Sequence, residues 1–201
     1  MAPNPAPTPH IAARPRHSIL VRLIAMMLLA LIVLVGLAVL IIWLSVRPKH
    51  LVYSIEDGSI HGYNLSNNHL NANFHFVLRA HNPNSKVSIY YDKMEATVYY
   101  NDETLAFNTV EPFFQPHRNV THIGLNLGAK DVSLYDPVAK DLKLERSAGE
   151  VELEVRLKAK IRFKVGAWKS KRRTLRLSCE PVIVHFSSAK NLGRALCDVD
   201  L

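Results

Sequence analysis

One long apolar run near the N-terminus constrains this chain most. Residues 23–44 read LIAMMLLALIVLVGLAVLIIWL and carry no charge. As an α-helix these 22 residues span about 33 Å, slightly more than the hydrocarbon core of a bilayer. The rest of a 201-residue chain is too small to surround a helix that is apolar on every side. The run therefore predicts a membrane-spanning helix, for which we expect the bounds 19–46.

A cleaved signal peptide is the alternative interpretation of this run. Signal peptides have apolar stretches of about 7–15 residues, which small residues follow at the cleavage site. Here the stretch is longer, and Ser45-Val46-Arg47-Pro48 follows it. The pattern favours an uncleaved signal anchor. The leader before it, residues 1–18, is rich in proline without apolar periodicity and is predicted to be a disordered cytosolic segment.

The orientation of the anchor is predicted from charge and from glycosylation sequons. Three arginines and no acid occur in residues 1–46, and two cations, Arg47 and Lys49, follow closely. The positive-inside rule thus favours a cytosolic N-terminus by three cations to two. Both N-x-S/T sequons, at Asn64 and Asn119, follow the helix and are candidate glycosylation sites. We expect the C-terminal domain, residues 47–201, to be extracellular.

The two cysteines also lie in this domain. Cys179 and Cys197 would form one disulfide in an oxidising compartment, closing the last segment onto the preceding strand. In a reducing compartment they would be two buried thiols. We expect the disulfide, on the condition that the domain lies outside the cytosol.

The domain is predicted to be mainly β. Residues 151–165 are apolar at every odd position and charged at every even one, which predicts a long strand with one buried face. Shorter runs with the same period occur at residues 72–80, 94–100, 121–127, 175–179 and 182–186. About seven short strands separated by turn residues favour an antiparallel β-sandwich.

One short helix is also predicted, over residues 134–145. Leu134, Val138 and Leu142 recur at four-residue spacing. Asp131 or Ser133 is expected to cap its N-terminus.

Four sequence blocks resemble a known family. Asn82-Pro83-Asn84 is followed by VSIYYD at 87–92, ATVYY at 96–100 and PFFQPHRN at 112–119. Their order and spacing are similar to those of the plant NHL family, the non-race-specific disease resistance and harpin-induced-like proteins. The motif residues that carry the resemblance most directly are Asn82, Pro83, Asn84, Tyr90, Tyr91 and Asp92.

The resemblance implies both a fold and a role. The family's outer domain has the late-embryogenesis-abundant group 2 fold, a fibronectin-III-like sandwich with one helix. The family implies a plasma-membrane location, sometimes at plasmodesmata, and a part in defence or stress responses. Expected partners are the lipid bilayer and either proteins at the plasma membrane or an anionic cell-wall polymer.

The sequence gives little support for catalysis. It contains no Gly-rich phosphate loop, no Gly-x-Ser-x-Gly elbow and no paired carboxylates that suggest a pocket. Ten histidines are present, yet the nearest pairs, His75/His81 and His117/His122, lack the spacing of a zinc site. We predict no catalytic, cofactor-binding or metal-binding residues and a protein that is not an enzyme. Nucleic acid is not an expected partner of an extracellular domain.

A basic segment is the strongest lead that does not depend on the family. Between residues 158 and 176 there are nine cations and no acid. They are Lys158, Lys160, Arg162, Lys164, Lys169, Lys171, Arg172, Arg173 and Arg176. Such a surface would attract anionic polymers or lipid headgroups. The alternative is a solvated strand face whose lysines prevent edge-to-edge aggregation.

Two functions are compatible with these features. The first is a membrane-anchored, non-enzymatic interaction protein in plant defence or stress response. The second is a membrane-proximal domain that binds or transfers lipid, which would require an apolar cavity between its sheets.

Overall fold

The computed structural model describes residues 17–46, 49–186 and 193–201. These residues divide into two units, one with the apolar helix and one with all the strands described. The predicted leader lies outside the described residues except for residues 17 and 18, which are helical.

The first unit is the helix α1 (His17–Val46). It begins two residues before the predicted start and is rich in Leu, Ala and Met, which favour helices. Its segment Ile19–Ile41 is long and apolar enough to cross a membrane, and no part of that segment is buried by the protein itself. By length and composition it is a candidate membrane span.

The described part of the second unit contains ten strands and one helix. In chain order they are β1 (Val52–Ser66), β2 (His69–Asn82), β3 (Val87–Tyr100), β4 (Glu103–Val110), β5 (Phe113–Gln115), β6 (Asn119–Ser133), α2 (Asp136–Ala148), β7 (Glu150–Val165), β8 (Trp168–Lys169), β9 (Arg173–His185) and β10 (Ala195–Asp200).

The strands form an antiparallel sandwich. Their order is β4-β3-β7-β9-β10-β1-β2-β6, with β5 added to β3 and β8 to β7. Strand β10 joins the two layers, because Ala195 and Leu196 pair with β1 while residues 197–200 pair with β9. At the other side, the side chain of Asn108 in β4 donates to the backbone oxygen of Asn126 in β6, at 2.5 Å. The predicted fibronectin-III-like sandwich with one short helix is confirmed as the fold class.

The core lies between the layers, where the period-two pattern places it. In β7 the odd positions from Val151 to Ile161 are buried, and in β2 the even positions from Leu70 to Asn82 are buried. The strand predicted at 151–165 is observed at Glu150–Val165. One face of each strand thus supplies the core and the other remains available for interaction.

Five of the described strands were not predicted, namely β1, β4, β5, β8 and β10. The burial of β1 does not alternate cleanly, and its pairing with β2 shifts between Ile55 and Asp57. Next to this bulge, a Cβ at Gly58 would lie 2.8 Å from Cδ1 of Phe76. Glycine allows the backbone to approach that ring closely, and the resulting irregularity hides the strand pattern.

The predicted cap of the short helix is wrong. Helix α2 begins at Asp136, and Tyr135 occupies the cap position without a side-chain hydrogen bond. Pro137 lies in the first turn, where the missing N–H of proline is tolerated, so the start does not depend on an upstream cap. Ser133 instead ends β6.

Candidate interaction surface

All but one of the predicted cations of β7 and β9 lie on one outer face of the sandwich. Lys158 and Lys160 are exposed, and the β7–β9 register places them opposite Arg176 and Thr174. Residues opposite one another on antiparallel strands project from the same face. The two strands therefore combine their positive charges on a single surface, which we call the basic face.

Acids from other strands neutralise part of the basic face. Asp92 of β3 binds Arg162 at 2.5 Å and Arg172 at 3.0 Å, and Asp200 of β10 binds Arg176 at 3.1 Å. The hydrogen bond from Arg162 is the main cause that holds the pKa of Asp92 below its ordinary value. Three of the nine predicted cations are thus ion-paired.

Replacing Asp92 with asparagine is expected to lower the free energy of unfolding by about 1 kcal/mol at pH 7. Because folding lowers the pKa of Asp92, its contribution is present above the unfolded-state value and is lost as pH falls through the folded-state value. The difference from wild type should shrink below about pH 4. Urea unfolding of the full chain in detergent at several pH values measures it.

The matched control is Asp141→Asn on α2, since Asp141 is exposed and forms no ion pair with the residues described. Equal losses for the two variants, or a difference independent of pH, would contradict a stabilising role for the Asp92 pairs.

The remaining six predicted cations differ from these three. Within the part of the chain that the structure describes, none of them forms an ion pair within 4.0 Å. They are Lys158, Lys160, Lys164, Lys169, Lys171 and Arg173. Arg173 lies opposite the buried Ile161, so it projects from the other side of the sheet than Lys158 and Lys160 do. The attraction of the basic face for anions therefore depends on at most five unpaired cations rather than on the nine that the sequence suggests.

Two of these cations lie over aromatic rings at the end of the β7–β8 hairpin. Lys169 Nζ is 4.7 Å from the ring centroid of Tyr90, and Lys164 Nζ is 5.8 Å from that of Phe114. The two rings are 4.6 Å apart. Trp168, next to the hairpin turn, is 63% exposed.

The motif Asn82-Pro83-Asn84 forms a polar cluster that fixes the backbone. Asn82 Nδ2 donates to the carbonyl oxygens of Val87, at 2.8 Å, and Pro116, at 3.0 Å. Asn82 Oδ1 accepts from the backbone N–H and side-chain amide of Asn84. Asn84 in turn binds both the N–H and the carbonyl of Lys49. The asparagine cluster thus joins the chain entry, the β2–β3 turn and the segment after β5.

A buried tyrosine pair connects the two layers. The hydroxyls of Tyr53 and Tyr91 are 2.6 Å apart, and Tyr91 donates to Gln115 Oε1 at 3.2 Å. Burial raises the pKa of Tyr91 to about 12. Sequence reasoning missed Gln115, for which the only signal was a polar residue between Phe114 and Pro116 in a family block. With every member buried, this network is suited to structure rather than to ligand contact.

The candidate modification sites differ in exposure. Asn64 is exposed on β1, whereas Asn119 begins β6 half-buried and accepts a hydrogen bond from Thr121 Oγ1 at 2.9 Å. Cys179 and Cys197 are joined in a disulfide between directly paired positions of β9 and β10.

One apolar space in the interior, among the described residues, is closed to ligands. The apolar space that Ile60, Leu70, Phe74 and Leu142 help to line has no room for a water molecule. Among the described residues, no three His, Cys, Asp or Glu side chains cluster in a way that could hold a metal ion. The charged and aromatic groups described above as candidates for ligand contact lie on the outer surface.

Comparison with known proteins identifies the family. The model of the late embryogenesis abundant protein family LEA_2 matches residues 77–180. An uncharacterized protein of Arabidopsis thaliana is 36% identical over 195 residues, which cover 95% of this chain and 87% of that protein. NDR1/HIN1-like protein 3 of the same plant is 32% identical, and the alignment covers 86% of this chain and 78% of that protein. NDR1/HIN1-like protein 10 of that plant is 28% identical, and the alignment covers 85% of this chain and 76% of that protein. The chain therefore belongs to the late embryogenesis abundant family and, within it, to the NDR1/HIN1-like (NHL) proteins.

Proposed function

We propose that this protein is a membrane-anchored, non-enzymatic interaction protein of plant defence and stress responses. Its N-terminus is cytosolic, and its sandwich is presented outside the cell at the plasma membrane. The observation that carries this proposal is the pairing of an apolar helix, fully exposed over Ile19–Ile41, with a sandwich whose open surfaces are polar and basic. The defence and stress role is supported by the NDR1/HIN1-like relatives.

The partner is expected to contact the outer surface of the sandwich. The unpaired cations of the basic face favour anionic partners, either an acidic protein surface at the plasma membrane or an anionic polymer of the cell wall. The alternative of a lipid carrier requires an interior apolar cavity, and the filled space beside Phe74 and Leu142 does not favour it. No nucleic acid partner is proposed.

Glycosylation tests the orientation. We expect the protein expressed in plant cells to lose mass on endoglycosidase treatment, because both sequons follow the anchor. Asn64→Gln should remove most of this shift, since Asn64 is exposed and Asn119 is half-buried. Asn119→Gln is the companion variant, and the double variant should show no shift. The measurement is the gel mobility of each variant with and without the enzyme.

Protease digestion of sealed microsomes decides the case in which no shift occurs. A sandwich that resists protease until detergent is added would support the outside orientation. Digestion from the cytosolic side of intact microsomes would overturn it.

A further inference from the structure

One end of the sandwich combines the point of chain entry with an open cleft. The backbone of Lys49 is held by Asn84, and only residues 47 and 48 separate Lys49 from the end of α1. At this same end β3 begins, because its first residue, Val87, pairs with Val165 beside the β7–β8 turn. We call it the tether end, since the chain continues from it into the helix.

The cleft at the tether end has the chemistry of an anion site. It measures about 430 Å³, and Lys86 and Lys164 line it together with Ser85, Ser88 and His117. None of its lining residues is acidic. The backbone N–H of His117 donates to Ser88 Oγ at 3.1 Å, which holds that hydroxyl in position. Two ammonium groups and two hydroxyls around an open cleft suit a phosphate group.

Exposed aromatic side chains lie at the tether end, and one of them lines the cleft. Phe114, one of its lining residues, is 43% exposed, and Trp168 beside the hairpin turn is 63% exposed. Tryptophan and lysine together are typical of protein segments that lie at the headgroup level of a bilayer. A soluble anionic polymer would account for the cations, but it would not require these features at the end that leads into an apolar helix.

We propose that the tether-end cleft binds the phosphate of lipid headgroups in the bilayer that holds α1, with Trp168 entering the headgroup layer. The inference rests on the membrane anchoring proposed above. The headgroup site would give the chain a second contact with the membrane besides α1. The β7–β9 part of the basic face would remain available for another partner.

Tryptophan quenching in the full chain tests this proposal. The chain has two tryptophans, so Trp43→Phe leaves Trp168 as the single tryptophan, whose emission is excited at a wavelength that the tyrosines do not absorb. The variant is reconstituted into nanodiscs that contain phosphatidylcholine with a nitroxide on its headgroup, with or without phosphatidic acid. We expect phosphatidic acid to raise the quenching of Trp168 about twofold, because the cleft lysines are attracted to the negative surface. Raising the salt from 0.1 to 1 M, which shortens the Debye length from about 10 to 3 Å, should reverse the increase.

Charge reversal separates the cleft from general electrostatics. In the Trp43→Phe background, Lys86→Glu with Lys164→Glu should abolish the increase. The matched control is Lys140→Glu with Lys143→Glu, which makes the same charge change on exposed positions of α2 at the opposite end of the sandwich. The cleft would be rejected as the headgroup site if both double variants abolished the increase in Trp168 quenching, or if neither did.

The two proposals fail in distinguishable ways. A chain that does not remain with the nanodiscs on size exclusion would overturn the anchor itself. A chain that remains with them, while its Trp168 quenching is independent of phosphatidic acid, would overturn the headgroup site only. A shift of Trp168 emission with soluble polygalacturonate but not with phosphatidic acid would also overturn it, in favour of a wall polymer.

Discussion

Replacing Asn82 with alanine is expected to lower the free energy of unfolding of the sandwich by about 3 kcal/mol. Asn82 is fully buried, and its amide makes four hydrogen bonds: two as donor, to Val87 and Pro116, and two as acceptor, both from Asn84. Alanine makes none of them, so buried backbone and amide groups lose partners in a place that water does not reach. Urea unfolding of the full chain in detergent measures the loss.

A matched variant on the same strand isolates the cause. Asn73→Ala removes the same atoms from an exposed position of β2 and should change the free energy of unfolding by less than about 0.5 kcal/mol. The proposed role of the asparagine cluster would be contradicted if Asn82→Ala and Asn73→Ala had the same effect.

The cluster also determines where the chain enters the domain. Because Asn84 binds the backbone of Lys49, the first described residue of the domain is held against the β2–β3 turn. Arg118 N donates to the carbonyl of Asn84 at 2.9 Å and adds the segment after β5 to the same cluster. The motif that carried the family resemblance thus has a structural explanation, and it fixes the end of the sandwich at which the proposed headgroup site lies.

The sandwich could be predicted because its long strands alternate strictly. Strands β2, β3 and β7 have buried residues at every second position over most of their length, and each was found from the sequence. Strand β1 was missed because a bulge and Gly58 interrupt its pattern. Local periodicity thus indicates a strand only where the pairing is regular.

The candidate site was less predictable, because tertiary contacts determine it. A basic segment is visible in one stretch of sequence, but Asp92 and Asp200, which neutralise part of it, come from two other strands, β3 and β10. The tether-end cleft likewise combines Lys86, His117 and Lys164 from three separate segments. No spacing within any one segment marks these residues as neighbours.

Removing the disulfide is expected to cost about as much stability as removing Asn82. In the chain-entropy account, a bond that closes a loop of this length contributes about 3 kcal/mol. Cys179 lies in β9 and Cys197 in β10, the strand that pairs with β1 at one end and β9 at the other. Loss of the bond therefore weakens the junction between the layers, in addition to releasing the C-terminal segment.

The measurement compares wild type with Cys179→Ala/Cys197→Ala, each unfolded in urea with and without dithiothreitol. We expect the reductant to lower the free energy of unfolding of wild type to that of the double variant and to leave the variant unchanged. Wild type that keeps its stability, while alkylation shows its thiols reduced, would contradict the structural role of the bond.

The same alkylation applied to plant membranes tests topology, because a sandwich that folds outside the cytosol should contain Cys179 and Cys197 in oxidised form. Free thiols at both positions would contradict an orientation with the sandwich outside the cytosol, independently of the glycosylation test.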